Sequence, residues 1–146
     1  MAFLRALGVS ASALTAQSFR MDVISENIAN AEVTRTAEGT PYRRRNVVLG
    51  ERNLTTSFAN ELSGARDRLR GDGVEVVEVI EDQSDFKMVY SPSHPDADEN
   101  GYVSYPNVDT VTEMVDLLTA TRAYEANITA FNATKNMALK ALDIGK

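Results

Sequence analysis

An apolar side chain stands at every seventh position of residues 7–31, LGVSASALTAQSFRMDVISENIANA. These positions are Leu7, Leu14, Met21 and Ile28, and the alternate positions of the same stripe are Ser10, Gln17, Ile24 and Ala31. Spacings of three and four residues keep one stripe of a helix facing a partner helix. The pattern therefore predicts a long helix from about Phe3 to Asn30. Asn27 and Asn30 suit a frayed helix end, because asparagine tolerates a left-handed turn.

A second stripe of the same kind lies near the other end of the chain. Its positions are Met114, Leu117, Thr121, Tyr124, Ile128, Phe131, Lys135, Ala138 and Leu142, and its start is widened by Val108, Val111, Val115 and Leu118. Thr110 and Glu113 have the capping-box spacing, in which a hydroxyl and a carboxylate satisfy each other's backbone donors. We therefore expect a second long helix that begins near Thr110 and closes at Asp143 to Gly145.

Glycine and proline interrupt the sequence between these two helices. Four short runs there are rich in β-branched or aromatic residues, namely Tyr42–Leu49, Val74–Glu81, Phe86–Tyr90 and Tyr102–Tyr105. With turn residues between them, these runs predict a small antiparallel β-unit. A β-unit of this size needs support from the helices to be stable. Residues 54–69 show only a weak helical stripe.

Together these patterns predict a mainly α protein with a small β-unit. We expect the long N- and C-terminal helices to pair as a coiled coil, with the short antiparallel β region between them. The expected parts are the N-terminal helix in residues 1–31, a loop-rich β middle region in residues 32–107, and the C-terminal helix in residues 108–146. Apolar stripes at both ends, with no active-site motif between them, indicate assembly rather than chemistry.

The composition narrows the possible partners. The chain has 146 residues, a formal net charge of -6 and no cysteine. An acidic chain has no general attraction to nucleic acid or to anionic lipid, and no stretch reaches the ~20 apolar residues of a membrane span. We therefore expect no nucleic-acid binding and no membrane insertion. The start also lacks the pattern of a cleavable signal peptide, so composition alone favours the cytoplasm.

Arg43 to Arg45 form a short basic run in this acidic chain. Nucleic-acid patches usually gather more charge and add aromatic stacking partners. We therefore expect the run at a solvated edge or in a charge contact between subunits.

Two other features could carry chemistry, and each has a simpler interpretation. DADENG at residues 96–101 matches the first half of a calcium loop, but position twelve is Asn107, where such a loop needs a glutamate. An acidic turn is the better interpretation. His94 is the only histidine, so carboxylates would have to complete any metal site, and no nucleophile-elbow pattern surrounds any serine. We expect no enzyme activity, no metal and no cofactor.

Motifs at both ends resemble the flagellar rod and hook axial family. SENIANA at residues 25–31 looks like the N-terminal signature of that family, and TRAYEAN at residues 121–127 looks like its C-terminal signature. PSHPDAD at residues 92–98, ALDIG at residues 141–145 and the short length are similar to the proximal-rod members. At Val33 the sequence differs from the family, which commonly has a small polar residue after the first helix. The difference affects only the local turn at that position.

The resemblance implies a structural axial subunit of the bacterial flagellar basal-body rod. Its terminal helices would form the inner coiled-coil layer of a helical tube, polymerising to transmit torque and to enclose the export channel. The implied partners are further copies of the chain, other rod proteins and the flagellar type III export apparatus. The resemblance also implies export without a cleaved signal peptide, and thus a periplasmic position in the basal body instead of the cytoplasm.

On this interpretation the functional residues form an assembly interface on the helices. They are Leu7, Leu14, Met21, Ile24, Asn27, Ile28, Asn30, Met114, Leu117, Arg122, Tyr124, Asn127, Ile128, Phe131 and Leu142. We expect the apolar members to hold the helix pair, and polar members such as Arg122 and Asn127 to contact other subunits. The alternative is a soluble coiled-coil adaptor that binds one partner helix. A closed complex of fixed stoichiometry favours the adaptor, whereas growth with concentration or on a partner favours the rod.

Overall fold

The computed structural model describes residues 2–52 and 73–144. The elements in chain order are α1 (Ala2–Ala29), β1 (Arg45–Glu51), β2 (Val74–Glu81), β3 (Lys87–Tyr90), β4 (Tyr102–Tyr105) and α2 (Thr110–Ile144). The prediction of two terminal helices packed together, with small antiparallel strand pairs between them, is confirmed. The weak helical stripe of residues 54–69 lies outside the described residues.

Helix α1 is continuous through Gly8 and ends without the left-handed turn that its asparagines predicted. A Cβ added at Gly8 would meet nothing within 4 Å, so this glycine marks no close approach. At the C-terminus the Asn30 side chain donates to the carbonyl of Glu26 at 2.8 Å, and its backbone N–H donates to the same carbonyl at 3.0 Å. Among the described residues, positive φ occurs only at glycines. Asn30 therefore closes the helix through its side chain.

Helix α2 is capped one residue earlier than predicted. The Asp109 carboxylate accepts the N–H of Val111 at 3.1 Å and the hydroxyl of Thr112 at 2.8 Å. These bonds, that of the Thr112 hydroxyl first, lower the pKa of Asp109 below its ordinary value. The predicted capping box of Thr110 and Glu113 is wrong, because the Glu113 carboxylate turns into the protein and Asp109 takes the cap.

The strands form two separate two-stranded sheets. In the first sheet, the Arg52 N–H donates to the Gly73 carbonyl at 3.0 Å and the Asp82 N–H donates to the Arg44 carbonyl at 2.8 Å. These pairs run in opposite directions along the chain, so β1 and β2 are antiparallel. In the second sheet, β3 and β4 are antiparallel with Val89 opposite Val103.

The described residues fall into two compact units. The first unit comprises residues 2–19, 49–52, 73–77 and 121–144, and the second unit comprises residues 20–48 and 78–120. In the first unit the Ser12 hydroxyl accepts the N–H of Val74 at 3.1 Å and donates to the Val9 carbonyl at 2.7 Å. Gly73 has a φ of +113°, and a Cβ there would collide with the Ser12 side chain. Glycine is therefore required where the start of β2 meets α1.

The core of the second unit joins both helices to the strands. Its buried apolar side chains are Val23, Ile24, Tyr42, Val103 and Ala120. Two polar side chains are buried with them, Asn27 and Glu113. This unit carries the site described below.

A polar network and an apolar stripe on opposite sides of the second helix

Asn27 is the centre of a buried polar network in the second unit, which we define as Asn27, Tyr42, Arg44 and Glu113. Its side chain has no solvent exposure. The amide nitrogen donates to Glu113 Oε2 at 3.0 Å and to the Arg45 carbonyl at 2.9 Å. The amide oxygen accepts the Tyr42 hydroxyl at 2.9 Å and the Arg45 N–H at 3.0 Å. All four bonding positions of the amide are filled, so the prediction that Asn27 lies in a frayed helix end is wrong.

Glu113 is a buried carboxylate with a cation beside it. Its side chain is 1 % exposed, and its Oε1 lies 2.5 Å from Arg44 Nε. The Arg44 guanidinium also approaches Asp116 Oδ2 at 3.5 Å and Asp82 Oδ2 at 3.8 Å. A buried charge is tolerated only when it is paired and hydrogen-bonded, and Glu113 meets both conditions.

The basic run from Arg43 to Arg45 is directed at groups of the same chain. Arg43 lies 4.4 Å from the ring centre of Phe86 and donates to the Asp82 carbonyl at 3.2 Å. Arg45 pairs with Glu26 at 3.0 Å. Arg44 pairs with Glu113 of α2, and the Arg45 side chain remains 41 % exposed beside Glu26 of α1. Whether the run also contacts another subunit stays a prediction.

Tyr42 adds the last member of the network. Its side chain is buried, and its backbone N–H donates to the Val33 carbonyl at 3.2 Å. Burial, followed by the nearby charge of Glu26, raises the pKa of the phenol above its ordinary value. The neutral hydroxyl is thus the form that donates to Asn27.

The opposite side of α2 carries an exposed apolar stripe, which we call the outer stripe. It consists of Val111, Met114, Val115 and Leu118, which are 68 %, 58 %, 57 % and 52 % exposed. Their spacing of three, four and seven residues puts them on one face of a helix. At 100° per residue, that face is turned away from the buried Glu113 and Ala120. Sequence patterning found the stripe, and the described residues of this chain leave it uncovered.

Strands β3 and β4 present a second exposed apolar surface. Met88, Tyr90 and Tyr102 share the face turned away from the buried Val103. The two tyrosine rings meet edge to face with centroids 5.3 Å apart. An exposed cluster of this kind on a soluble domain is typical of a contact surface.

The predicted interface residues are distributed over all degrees of burial. Ile24 and Asn27 are buried; Leu7, Leu14, Met21, Ile28, Asn30, Leu117, Tyr124, Asn127 and Phe131 are half-buried; and Met114, Arg122, Ile128 and Leu142 are exposed. In the second unit, Asn27 meets α2 directly through Glu113. In the first unit, the Asn127 side chain donates to the Ala123 carbonyl of its own helix at 2.8 Å. Whether these residues contact other subunits stays a prediction.

Sequence reasoning missed three members of the network, Tyr42, Arg44 and Glu113, as interacting residues. A weak signal was available, since Tyr42 and Arg44 alternate and alternate residues of an extended chain share one side. Nothing local connects that pair to Glu113, which lies 69 residues from Arg44.

The acidic segment before β4 is a hydrogen-bonded turn. Asp98 Oδ1 accepts the N–H of Asn100 at 2.9 Å and that of Tyr102 at 2.8 Å, and Gly101 has a φ of +80°. The Asp96 carboxylate accepts the Thr34 hydroxyl at 2.9 Å and lies 3.6 Å from the Arg35 guanidinium. These bonds use the oxygens as turn and ion-pair groups, as the sequence predicted for an acidic turn. Within residues 2–52 and 73–144, no cluster of three potential metal ligands occurs.

Helices of the described residues were also compared with the length and apolarity that a membrane span requires. In the described part of the chain, neither α1 nor α2 combines that length with that apolarity.

Known proteins match the chain at both helical ends. Residues 7–35 match the family described as "Flagella basal body rod protein", and residues 99–144 match "Flagellar basal body rod FlgEFG protein C-terminal". The two matches cover parts of both terminal helices and indicate a class, the structural proteins of the flagellar basal body.

Relatives of nearly the same length identify the member of that class. The chain is 51 % identical to the flagellar basal-body rod protein FlgC of Bacillus subtilis, with 96 % of each chain covered. It is 42 % identical to FlgC of Salmonella typhimurium over the whole of both chains, and 42 % identical to FlgC of Borreliella burgdorferi over 99 % of this chain and 98 % of that one. The chain belongs to the FlgC family of flagellar basal-body rod proteins. This confirms the expectation of a structural protein rather than an enzyme.

Proposed function

We propose that the chain is an axial subunit of the flagellar rod that polymerises through its terminal helices. The observation that carries this proposal is the outer stripe, four large apolar side chains that are each more than half exposed on one face of α2. Leaving such a stripe in water is unfavourable by roughly 25 cal/mol for each Å² of apolar surface. A neighbouring subunit that covers the stripe would remove that cost.

The proposed neighbours are further copies of the chain and other rod proteins. An isologous pair buries the same patch on both partners and closes, whereas a contact between two different faces repeats and builds a filament. The outer stripe lies on α2, and the exposed face of α1 carries Leu4 and Phe19 at 67 % and 41 % exposure. A repeating contact requires two different faces, and the exposed apolar residues of α1 and α2 provide two. We propose that the faces pack as a coiled coil through the predicted interface residues.

Torque transmission follows from such packing. Close-packed helices in a tube resist twisting, since protein interiors are as dense as organic crystals and compress little. The same helical layer would enclose the export channel. The ribbon of β3 and β4, with its exposed Met88 and Tyr90, would face outwards from that layer.

Delivery and position complete the proposal. The family places the protein in the basal body. We propose that the flagellar type III export apparatus delivers the chain to the periplasmic rod without cleaving a signal peptide.

The experiment that tests polymerisation compares a variant of the outer stripe with a matched variant beside it. Met114→Gln/Leu118→Gln makes two of the four members of the outer stripe polar, and Thr119→Gln changes an adjacent exposed polar residue. Sedimentation velocity and circular dichroism are recorded for each full chain, alone and mixed with purified neighbouring rod proteins. Wild type and Thr119→Gln are expected to gain mass and helix with concentration or with the neighbours, and the stripe variant is expected to remain a monomer.

Two outcomes would contradict the proposal. Assembly of the stripe variant at wild-type concentrations would show that the outer stripe is not the contact surface. A closed wild-type complex of fixed stoichiometry with one partner would instead favour the coiled-coil adaptor.

A further inference from the structure

In the second unit, the contact between α1 and α2 is completed by a third segment of the chain. We call residues 42–45 the docking segment. It lies between the helices in sequence and precedes or begins β1. The direct bond between the helices runs from Asn27 Nδ2 to Glu113 Oε2 at 3.0 Å. Every other partner of the Asn27 amide belongs to the docking segment.

The counter-charge of Glu113 also comes from the docking segment and not from α1. Asn27 gives Glu113 one neutral donor, whereas the cation beside the carboxylate is Arg44 of the docking segment, 2.5 Å away. With the docking segment in place, the Glu113 side chain is 1 % exposed, so Arg44 supplies both the counter-charge and part of the cover of the carboxylate. Pairing the helices without the docking segment would leave the carboxylate at the helix contact without its counter-charge and the amide with one of its four bonds within the chain.

We propose that the docking segment is a conformational lock: α1 and α2 pair in the second unit only when Tyr42 and Arg44 are docked against Asn27 and Glu113. The polar network thereby suppresses helix pairing in a chain whose middle region has not folded. An apolar contact at the same place would be stable in the two helices alone and would allow them to pair prematurely. This inference concerns folding within one chain, so it stands or falls independently of the proposed polymerisation.

The chain contains no cysteine, so two introduced cysteines can carry a unique pair of spin labels. Asp22→Cys and Thr119→Cys place the labels at exposed positions of α1 and α2 in the second unit. Pulsed electron paramagnetic resonance of the full chain then gives the fractions of molecules with paired and with separated helices. Dilute samples keep the measurement within single chains.

The test changes Arg44 of the docking segment in two backgrounds, one in which Glu113 is charged and one in which a neutral side chain replaces it. Arg44→Ala is expected to raise the separated fraction by at least about tenfold in the wild-type background, because Glu113 loses its counter-charge. In a Glu113→Gln background, where the side chain carries no charge but keeps an acceptor for Asn27, Arg44→Ala is expected to change that fraction by less than about twofold. Arg43→Ala, which removes the contacts with Phe86 and Asp82 instead, serves as the matched control in both backgrounds.

Three results would overturn the lock. Equal effects of Arg44→Ala in the two backgrounds would mean that the docking segment adds stability without controlling the pairing. Paired helices in Arg44→Ala itself would show that no counter-charge is required. An effect of Arg43→Ala as large as that of Arg44→Ala would show that helix pairing depends on the docking segment in general and not on the counter-charge of Glu113. If Glu113→Gln fails to fold, Asn27→Leu/Glu113→Leu provides an apolar background with the same expectation.

Discussion

Two neighbouring residues of α2 meet opposite environments. Glu113 is 1 % exposed and fully bonded inside the second unit, whereas Met114 is 58 % exposed on the outer stripe. A helix on the surface of a soluble domain usually turns its apolar face inwards and its charges outwards. At this turn α2 does the reverse. The polymerisation proposed above would account for this arrangement, because a neighbouring subunit would cover the outer face.

The comparison also separates two kinds of contact. The inner contact is polar, and its geometry fixes which side chains can meet, because each donor and acceptor needs one partner in one place. The outer stripe is apolar and non-directional, so it favours burial against any complementary surface. The network therefore supplies specificity within the chain, and under the proposed function the stripe would supply the attraction between chains.

Arg44→Met should produce the largest loss of stability, since it leaves the Glu113 carboxylate buried without a cation. We expect the free energy of unfolding to fall by about 3–5 kcal/mol, as is typical when one member of a buried pair is removed. Urea unfolding of the full chain, followed by circular dichroism, measures the loss. Arg44→Met/Glu113→Leu should recover most of it. A loss below about 1 kcal/mol for the single variant is typical of an exposed ion pair. It would contradict the contrast drawn here between the buried Glu113 and the exposed Met114.

Tyr42→Phe should have a smaller effect, because it removes one hydrogen bond and leaves the ring in place. We expect a loss of about 1 kcal/mol in the same measurement. The raised pKa of Tyr42 gives a second readout: the neutral phenol stabilises the folded state fully below the ordinary pKa of about 10, and that contribution is lost as pH rises through the folded pKa. The gap between wild type and Tyr42→Phe should therefore narrow at alkaline pH. A gap that is constant across that range would show that the phenol is not held in its neutral form.

The inward orientation of the Glu113 side chain shows which features of the fold can be predicted from local sequence patterns and which cannot. Periodicity is local, so both helices and the strands Val74–Glu81 and Tyr102–Tyr105 were predicted within one or two residues. A glutamate three residues after a threonine is also a local signal, and it was interpreted as a cap. The partners of Glu113 inside the protein are Asn27 and Arg44, 86 and 69 residues away in the sequence, and no local pattern contains them.

The outer stripe shows a second limit of prediction from sequence patterns. Its spacing was sufficient to predict an apolar helix face, because a period of 3.6 residues is readable in a short window. Periodicity does not state whether the covering surface belongs to the same chain or to another one. In the described part of this chain, Val111 and Leu118 have no cover, and that fact required the structure.

Asp109 caps the first turn of α2. Asp109→Ala should lower the melting temperature modestly by removing acceptors from Val111 and Thr112, whereas Asp109→Asn keeps a cap without the charge. The lowered pKa of Asp109 means that its charge stabilises the folded state above the ordinary pKa of about 3.9, and that this contribution is lost as pH falls through the folded pKa. The difference in melting temperature between wild type and Asp109→Asn should therefore be present at neutral pH and shrink towards pH 3. An unchanged difference at acid pH would argue against a role for the charge.

Leu118→Gln should have the smallest effect on the single chain. The side chain is 52 % exposed and no described residue covers the outer stripe, so the free energy of unfolding of the monomer should change by no more than about 0.5 kcal/mol. The buried Ile24 provides the contrast, since Ile24→Ala at 6 % exposure should cost about 2–5 kcal/mol in the same urea titration. A large loss for Leu118→Gln in a monomeric sample would mean that the stripe is covered within the chain. The apolar face of α2 would then belong to the fold, and its assignment to contacts between subunits would have to be abandoned.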